Sequence, residues 1–149
     1  VIEYSNPTHL ETIANAANVL PNRAYDTCIS RSKDGRLLGG VIYTNYTGAS
    51  ITMHTAGFDP AWVSRDMLWV CFHYPFVQLK CNKLFGQVPA WNVKALEFDL
   101  HLGFKEECII RDVYPEGDMI LLSMRKEDCR WLKLRPRTIA APMEDEHGW

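Results

Sequence analysis

Residues 59–104 constrain this chain more tightly than any other stretch, because their hydrophobic pattern changes period twice. FDPAWVS reads as a turn. RDMLWVCFHYPFVQL follows with apolar residues recurring at three and four, the spacing of a helix with one buried face. KLFGQVPA is short, apolar and strand-like, and NVKALEFDLHLGF is a second helix that stops at Gly103. A helix joining two strands is a βαβ crossover. The turn ahead of the first helix aims free backbone N–H groups outward, and unpaired amides at the positive end of a helix dipole favour phosphate.

The flanking sequence supplies the rest of a sheet. VIEY opens as a strand. SNPTHLETIANAANVL is a predicted helix capped by Asn6 or Ser5, with Pro7 in its first position and Leu10, Ile13, Ala17 and Leu20 on one face. Pro21 and Asn22 end it, and NRAYD is a polar loop carrying an aromatic. TCISRS and LLGGVIYTNY are strands joined by the turn KDGR, and a tight TG turn leads into ASITMHTAG. After Gly103, FKEECIIRDVY and DMILLSMRK form a last hairpin around PEG. The predicted order is β-α-β-β-β-α-β-α-β-β, an α/β (α+β) mixed sheet. Residues 1–137 read as one domain and 138–149 as a C-terminal tail, either disordered or pinned back by Trp131 and Trp149.

Composition removes several functions. The chain has 149 residues and a net charge of -2, against a simple nucleic-acid binder, whose affinity comes from neutralising phosphates. Arg125, Lys126, Arg130, Lys133, Arg135 and Arg137 form a loose basic run, better explained as a solvated segment. No apolar run approaches the roughly 20 residues of a membrane span. The five cysteines show no close pairing, which suits free thiols in a reducing compartment. The absence of any CxxC or HxxxH pair argues against a zinc site. The expectation is a cytoplasmic, soluble protein without a metal.

With those residues in view, the second half of the chain resembles the GNAT superfamily of acyl-CoA-dependent N-acetyltransferases, from about Leu37 to Met124. FDPAWVSRDMLW with YPFVQLKCNKLFGQV looks like the ribosomal-protein and polyamine acetyltransferase branch. Asn92, Ala95 and Gly103-Phe104 match an N-x-x-A…G-F signature, and Arg111, Asp112 and Gly117-Asp118 are similar to the R-D…G-D ending. The pattern also looks like small acetyltransferase-like proteins of bacteriophages. Two departures stand out. The family's Q/R-x-x-G-x-G phosphate turn is replaced by a glycine-free run in which Ser64, Arg65 and Asp66 are the residues placed to meet a diphosphate. Asp99 occupies the position, seven after Asn92, where many members carry a tyrosine acid.

The resemblance implies acetyl-CoA as cofactor and direct transfer to an amine, which could be a protein, a polyamine, a small molecule or a modified nucleotide. It places the pantetheine arm against Thr55, Ala56, Gly57 and Phe58, with Asn92 capping the last helix close to it. His54, on the same strand, is the candidate base, because its reference pKa of about 6.5 lets it accept a proton near neutrality. Asp99 is the candidate acid provided burial raises it, since an ordinary aspartate, near 3.9, is a poor one. Tyr25 and Asp26 are candidates for the acceptor wall. The other reading is a catalytically silent binding module on the same scaffold.

Overall fold

The computed structural model describes residues 1–137. Its seven strands are β1 (Ile2–Tyr4), β2 (Thr27–Lys33), β3 (Arg36–Thr44), β4 (Ser50–Gly57), β5 (Lys83–Pro89), β6 (Lys105–Tyr114) and β7 (Gly117–Arg125). They form one mixed sheet in the order β1-β2-β3-β4-β5-β7-β6. The helices are α1 (Pro7–Ala16), α2 (Arg65–His73) and α3 (Val93–Leu102). Every predicted element is present in the predicted order. The tail residues 138–149, Trp149 among them, lie outside the described residues. No helix of the described residues is long and apolar enough to cross a membrane.

Strand alternation divides the sheet into two faces. Val41, Tyr43, Ile51 and Met53 join α2 and α3 in the larger core, with Phe72, Phe76, Leu84 and Phe104. Ile42 turns the other way and packs with Leu10, Ile13 and Ala14 of α1. Gly40 lets that helix sit directly on the strand, because a Cβ there would lie 2.7 Å from Ile13 Cδ1.

Two helix boundaries depart from the periodic reading. The first helix stops at Ala16, and Leu20 is 93% exposed. Asn18 takes a left-handed φ of 57°, and the Val19 amide turns back to Ala14 O. The crossover helix is α-helical only to His73 and then widens into a π turn over Tyr74–Gln78. Pro75 explains the break. It has no N–H to give the carbonyl of Cys71, four residues back. That carbonyl accepts the buried Tyr43 hydroxyl instead, which ties the crossover to β3.

After β7 the chain runs as a strap along α2. Trp131 Nε1 donates to Leu102 O at 2.8 Å, and Arg130 to His101 O. At the far end Arg65 Nε donates to Arg135 O at 2.7 Å, and Asp66 accepts the Arg137 amide. Trp131 is therefore pinned against the body.

Candidate functional site

The site begins with an incomplete pairing. Parallel β4 and β5 are matched only at Ser50–Lys83, Ile51–Leu84 and Thr52–Phe85. Beyond Thr52, β4 stays with β3 as far as Gly57, while β5 stays with β7 as far as Pro89. The two strands therefore part, leaving a wedge in the middle of the sheet. Phe58 N donates to Leu38 O, so the alternate residues Ala56 and His54 also turn their amides toward β3. Thr55 and Gly57 are left with N–H and C=O groups facing the gap. An extended ligand can add to such an edge as if it were another strand.

Successive β4 residues project to opposite faces, so the gap opens onto two recesses. On the α2/α3 face lies a groove of about 640 Å³, lined by Thr55, Gly57, Phe58, Trp62, Asn92 and Lys94 among others. Asn92 Oδ1 accepts the Ala95 amide at 3.1 Å, the predicted cap. Trp62 was not foreseen. It lies over Gly57 and Gly39, where any Cβ would come within 3 Å of its ring, and meets Phe98 at 6.0 Å between centroids. Two glycines facing each other across the β3–β4 ladder, with a tryptophan in the following turn, were the available signal.

The α1 face holds a cavity of about 620 Å³, lined by His54 of β4, Gln87 of β5, and Tyr25, Asp26 and Thr27 from the loop after α1, among others. His54 Nε2 shares a hydrogen bond with Thr44 Oγ1 at 3.0 Å. Burial lowers the His54 pKa, with the negative charge of Asp26 acting in opposition. The imidazole is thus neutral at pH 7. Gln87 also escaped the sequence reading, although a lone polar residue among the apolar positions of β5 marked it.

The remaining predicted residues fall elsewhere. Ser64, Arg65 and Asp66 line a third recess of about 520 Å³ with Arg31 and Arg137, rather than the groove. Ser64 Oγ caps α2 at the Met67 amide, 3.1 Å away. Trp62 and Val63 are the residues just ahead of α2 that reach the groove, and Lys94 is the one cation among its lining residues. Asp99 stands on α3, next to the groove-lining Phe98, and burial pushes its carboxyl up to about 7. That is the shift an aspartate needs to hold a proton near neutrality. Cys71 and Cys28 are pushed up to about 12 by burial and are inert thiols.

No protein-family model matches the sequence, and no curated protein is significantly similar to it. Solved structures are similar in fold. The spermidine N-acetyltransferase of Vibrio cholerae, solved with CoA and spermine, superposes with a TM-score of 0.65 at 15% identity, over 86% of this chain and 96% of that one. PseH, an N-acetyltransferase of Campylobacter jejuni solved with acetyl coenzyme A, gives 0.52 at 19% identity over 68% of each chain. A probable acetyltransferase gives 0.59 at 19% identity, over 68% of this chain but only 62% of its own length. The chain has the GNAT acyltransferase fold.

Proposed function

We propose that the protein is an N-acetyltransferase that moves an acetyl group from acetyl-CoA directly to an amine. One observation carries this reading: the gap between β4 and β5 has free backbone groups on one edge and a neutral histidine on its far face. The groove suits the cofactor. Thr55 and Gly57 offer strand-like pairing to the amides of the pantetheine arm, Ala56 sets their spacing, and Phe58 and Trp62 give it apolar walls. The diphosphate lies at the Trp62–Val63 end of the groove, with Lys94 as its cation.

Acetyl-CoA supplies the activated acetyl group; the rest is work for this chain. His54 takes the proton of the acceptor ammonium on its imidazole, freeing the nitrogen lone pair to bond the carbonyl carbon. One of the backbone N–H groups on this edge, that of Thr55, stabilises charge on the carbonyl oxygen, and the remaining edge groups pair with the arm. The C–S bond breaks, the newly bonded nitrogen releases its second proton to solvent, and Asp99, protonated in part near neutrality, returns a proton to the departing sulfur. Tyr25 and Asp26 hold the acceptor on the α1 face.

Isothermal titration with acetyl-CoA tests the groove, and thiol release with a panel of primary amines tests the chemistry. Micromolar binding followed by amine-dependent thiol release is expected. Absence of heat with both acetyl-CoA and CoA would sink the proposal.

A further inference from the structure

Resting on the transferase reading, the chemistry of the α1-face cavity narrows the acceptor. We infer that it is a compact amine whose other polar groups are uncharged hydroxyls or amides, with an aminated monosaccharide as its model.

The charges come first. Among the residues lining the cavity there is no lysine and no arginine, and Asp26 is the one carboxylate. A phosphate or carboxylate on the acceptor would leave water without a cationic partner, which is strongly unfavourable. Asp26 can answer one ammonium. One of its oxygens is already committed to the Asn22 amide at 2.7 Å, which fixes the loop it stands on. A second or third ammonium on the acceptor would find no counter-charge in the cavity.

What the cavity does offer is neutral and two-sided. Asn18, Asn45 and Gln87 line it from three different elements, and their side-chain amides hold no partner among the described residues. Each presents both a donor and an acceptor, as a ligand hydroxyl does. The tyrosines contribute differently. Tyr43 donates its hydroxyl to Cys71 O, Tyr46 donates to Leu79 O at 3.2 Å, and Tyr74 shares a bond with Thr27 at 3.1 Å. Tyr43 and Tyr74 are buried, so the ring surface against which the C–H face of a sugar ring packs comes from the exposed Tyr25 and Tyr46. A volume of about 620 Å³ accommodates one such ring with its substituents.

The test is calorimetry on the full chain saturated with CoA, using D-glucosamine, D-glucosamine 6-phosphate, cyclohexylamine and 1,4-diaminobutane. Glucosamine is expected to bind at least about tenfold more tightly than each of the others, since a site built to pair hydroxyls discriminates against analogues lacking them. In the double variant Asn45→Leu, Gln87→Leu, checked for an unchanged near-ultraviolet spectrum, the glucosamine-to-cyclohexylamine ratio should fall toward one. Equal or tighter binding of the phosphate, the diamine or cyclohexylamine overturns the inference, as does no binding by any of the four. Thiol release with the same amines keeps the two ideas apart. Selective binding without thiol release supports the ligand class and removes the transferase. Thiol release with amines other than glucosamine keeps the transferase and removes the ligand class.

Discussion

The two recesses that flank the β4–β5 gap are made of different materials. The groove on the α2/α3 face is chiefly backbone and shape: free amides of Thr55 and Gly57, and two bare glycines under Trp62. The cavity on the α1 face is chiefly side chains, with His54, Asp26, Gln87 and the tyrosines converging from separate elements. The first follows from topology, because two strands that start paired and then part must expose an edge. The second depends on which residues occupy given positions. A ligand shared by many proteins can be held by the first, whereas selectivity among acceptors has to reside in the second.

If that division is right, the largest loss of turnover should come from the cavity and leave the groove untouched. His54→Ala is expected to lower turnover by about 10²–10⁴-fold, the usual worth of a general base, with the acetyl-CoA affinity from calorimetry little changed. The parent protein should show a kcat/KM with an acidic limb that falls below pH 6.5, because burial sets the His54 pKa under the ordinary 6.5. An acidic limb that persists in the alanine variant would assign the titration to another group.

Asp99, on the helix that borders the groove, sharpens the comparison. Its folded carboxyl titrates near 7, against an ordinary 3.8. Between those values the folded state holds a proton the unfolded chain has released. Stability therefore falls as pH rises from about 4 through about 7, by at most about 4 kcal/mol. Asp99→Asn should remove this slope, gaining about 2 to 4 kcal/mol at pH 8 and little near pH 4 in urea unfolding curves. If Asp99 is also the acid for the thiolate, the same variant loses turnover and the alkaline limb of its pH profile.

Next in size is Gly57→Ala. The added Cβ would stand 2.2 Å from Trp62 Nε1, so the indole must move. A cost of about 2 kcal/mol is expected, typical of overpacking, together with roughly tenfold weaker acetyl-CoA binding. The pH dependence set by His54 should not change. An altered acidic limb would mean that the two recesses are not separable.

The same contrast explains what could be seen in the sequence. The order of elements along the chain was legible because each has its own period and its own turn residues, as at Asn92, Gly103 and the KDGR turn. The edge carrying Thr55 and Gly57 came with the fold resemblance. The reach of the first helix to Leu20 was misjudged because Ala17 and Leu20 continue a spacing that Asn18 interrupts by its backbone conformation alone. On β4, period two separates Thr52, His54 and Ala56 from Ile51, Met53 and Thr55. It does not say which set meets which helix, since helices cover both faces. Gln87, Asn18 and Asn45 are far apart in sequence, and only the folded loops bring them to one cavity. The third recess, at Ser64–Asp66, was equally hidden. The partners of Arg65 and Asp66 are at Arg135 and Arg137, roughly 70 residues away along the chain.

The smallest effect tests a residue with two duties. Asn92 caps α3 through its Oδ1 and also lines the groove. Asn92→Ala should cost about 1 kcal/mol in unfolding free energy, the usual worth of an N-cap, and should also weaken acetyl-CoA binding. Aspartate is as good a cap as asparagine, so Asn92→Asp should restore the stability lost in the alanine variant. Its negative charge, however, replaces a side-chain amide that can donate to the cofactor. Stability regained without affinity would show that Asn92 touches the ligand. If both return together, its influence on the groove runs through the first turn of α3 alone.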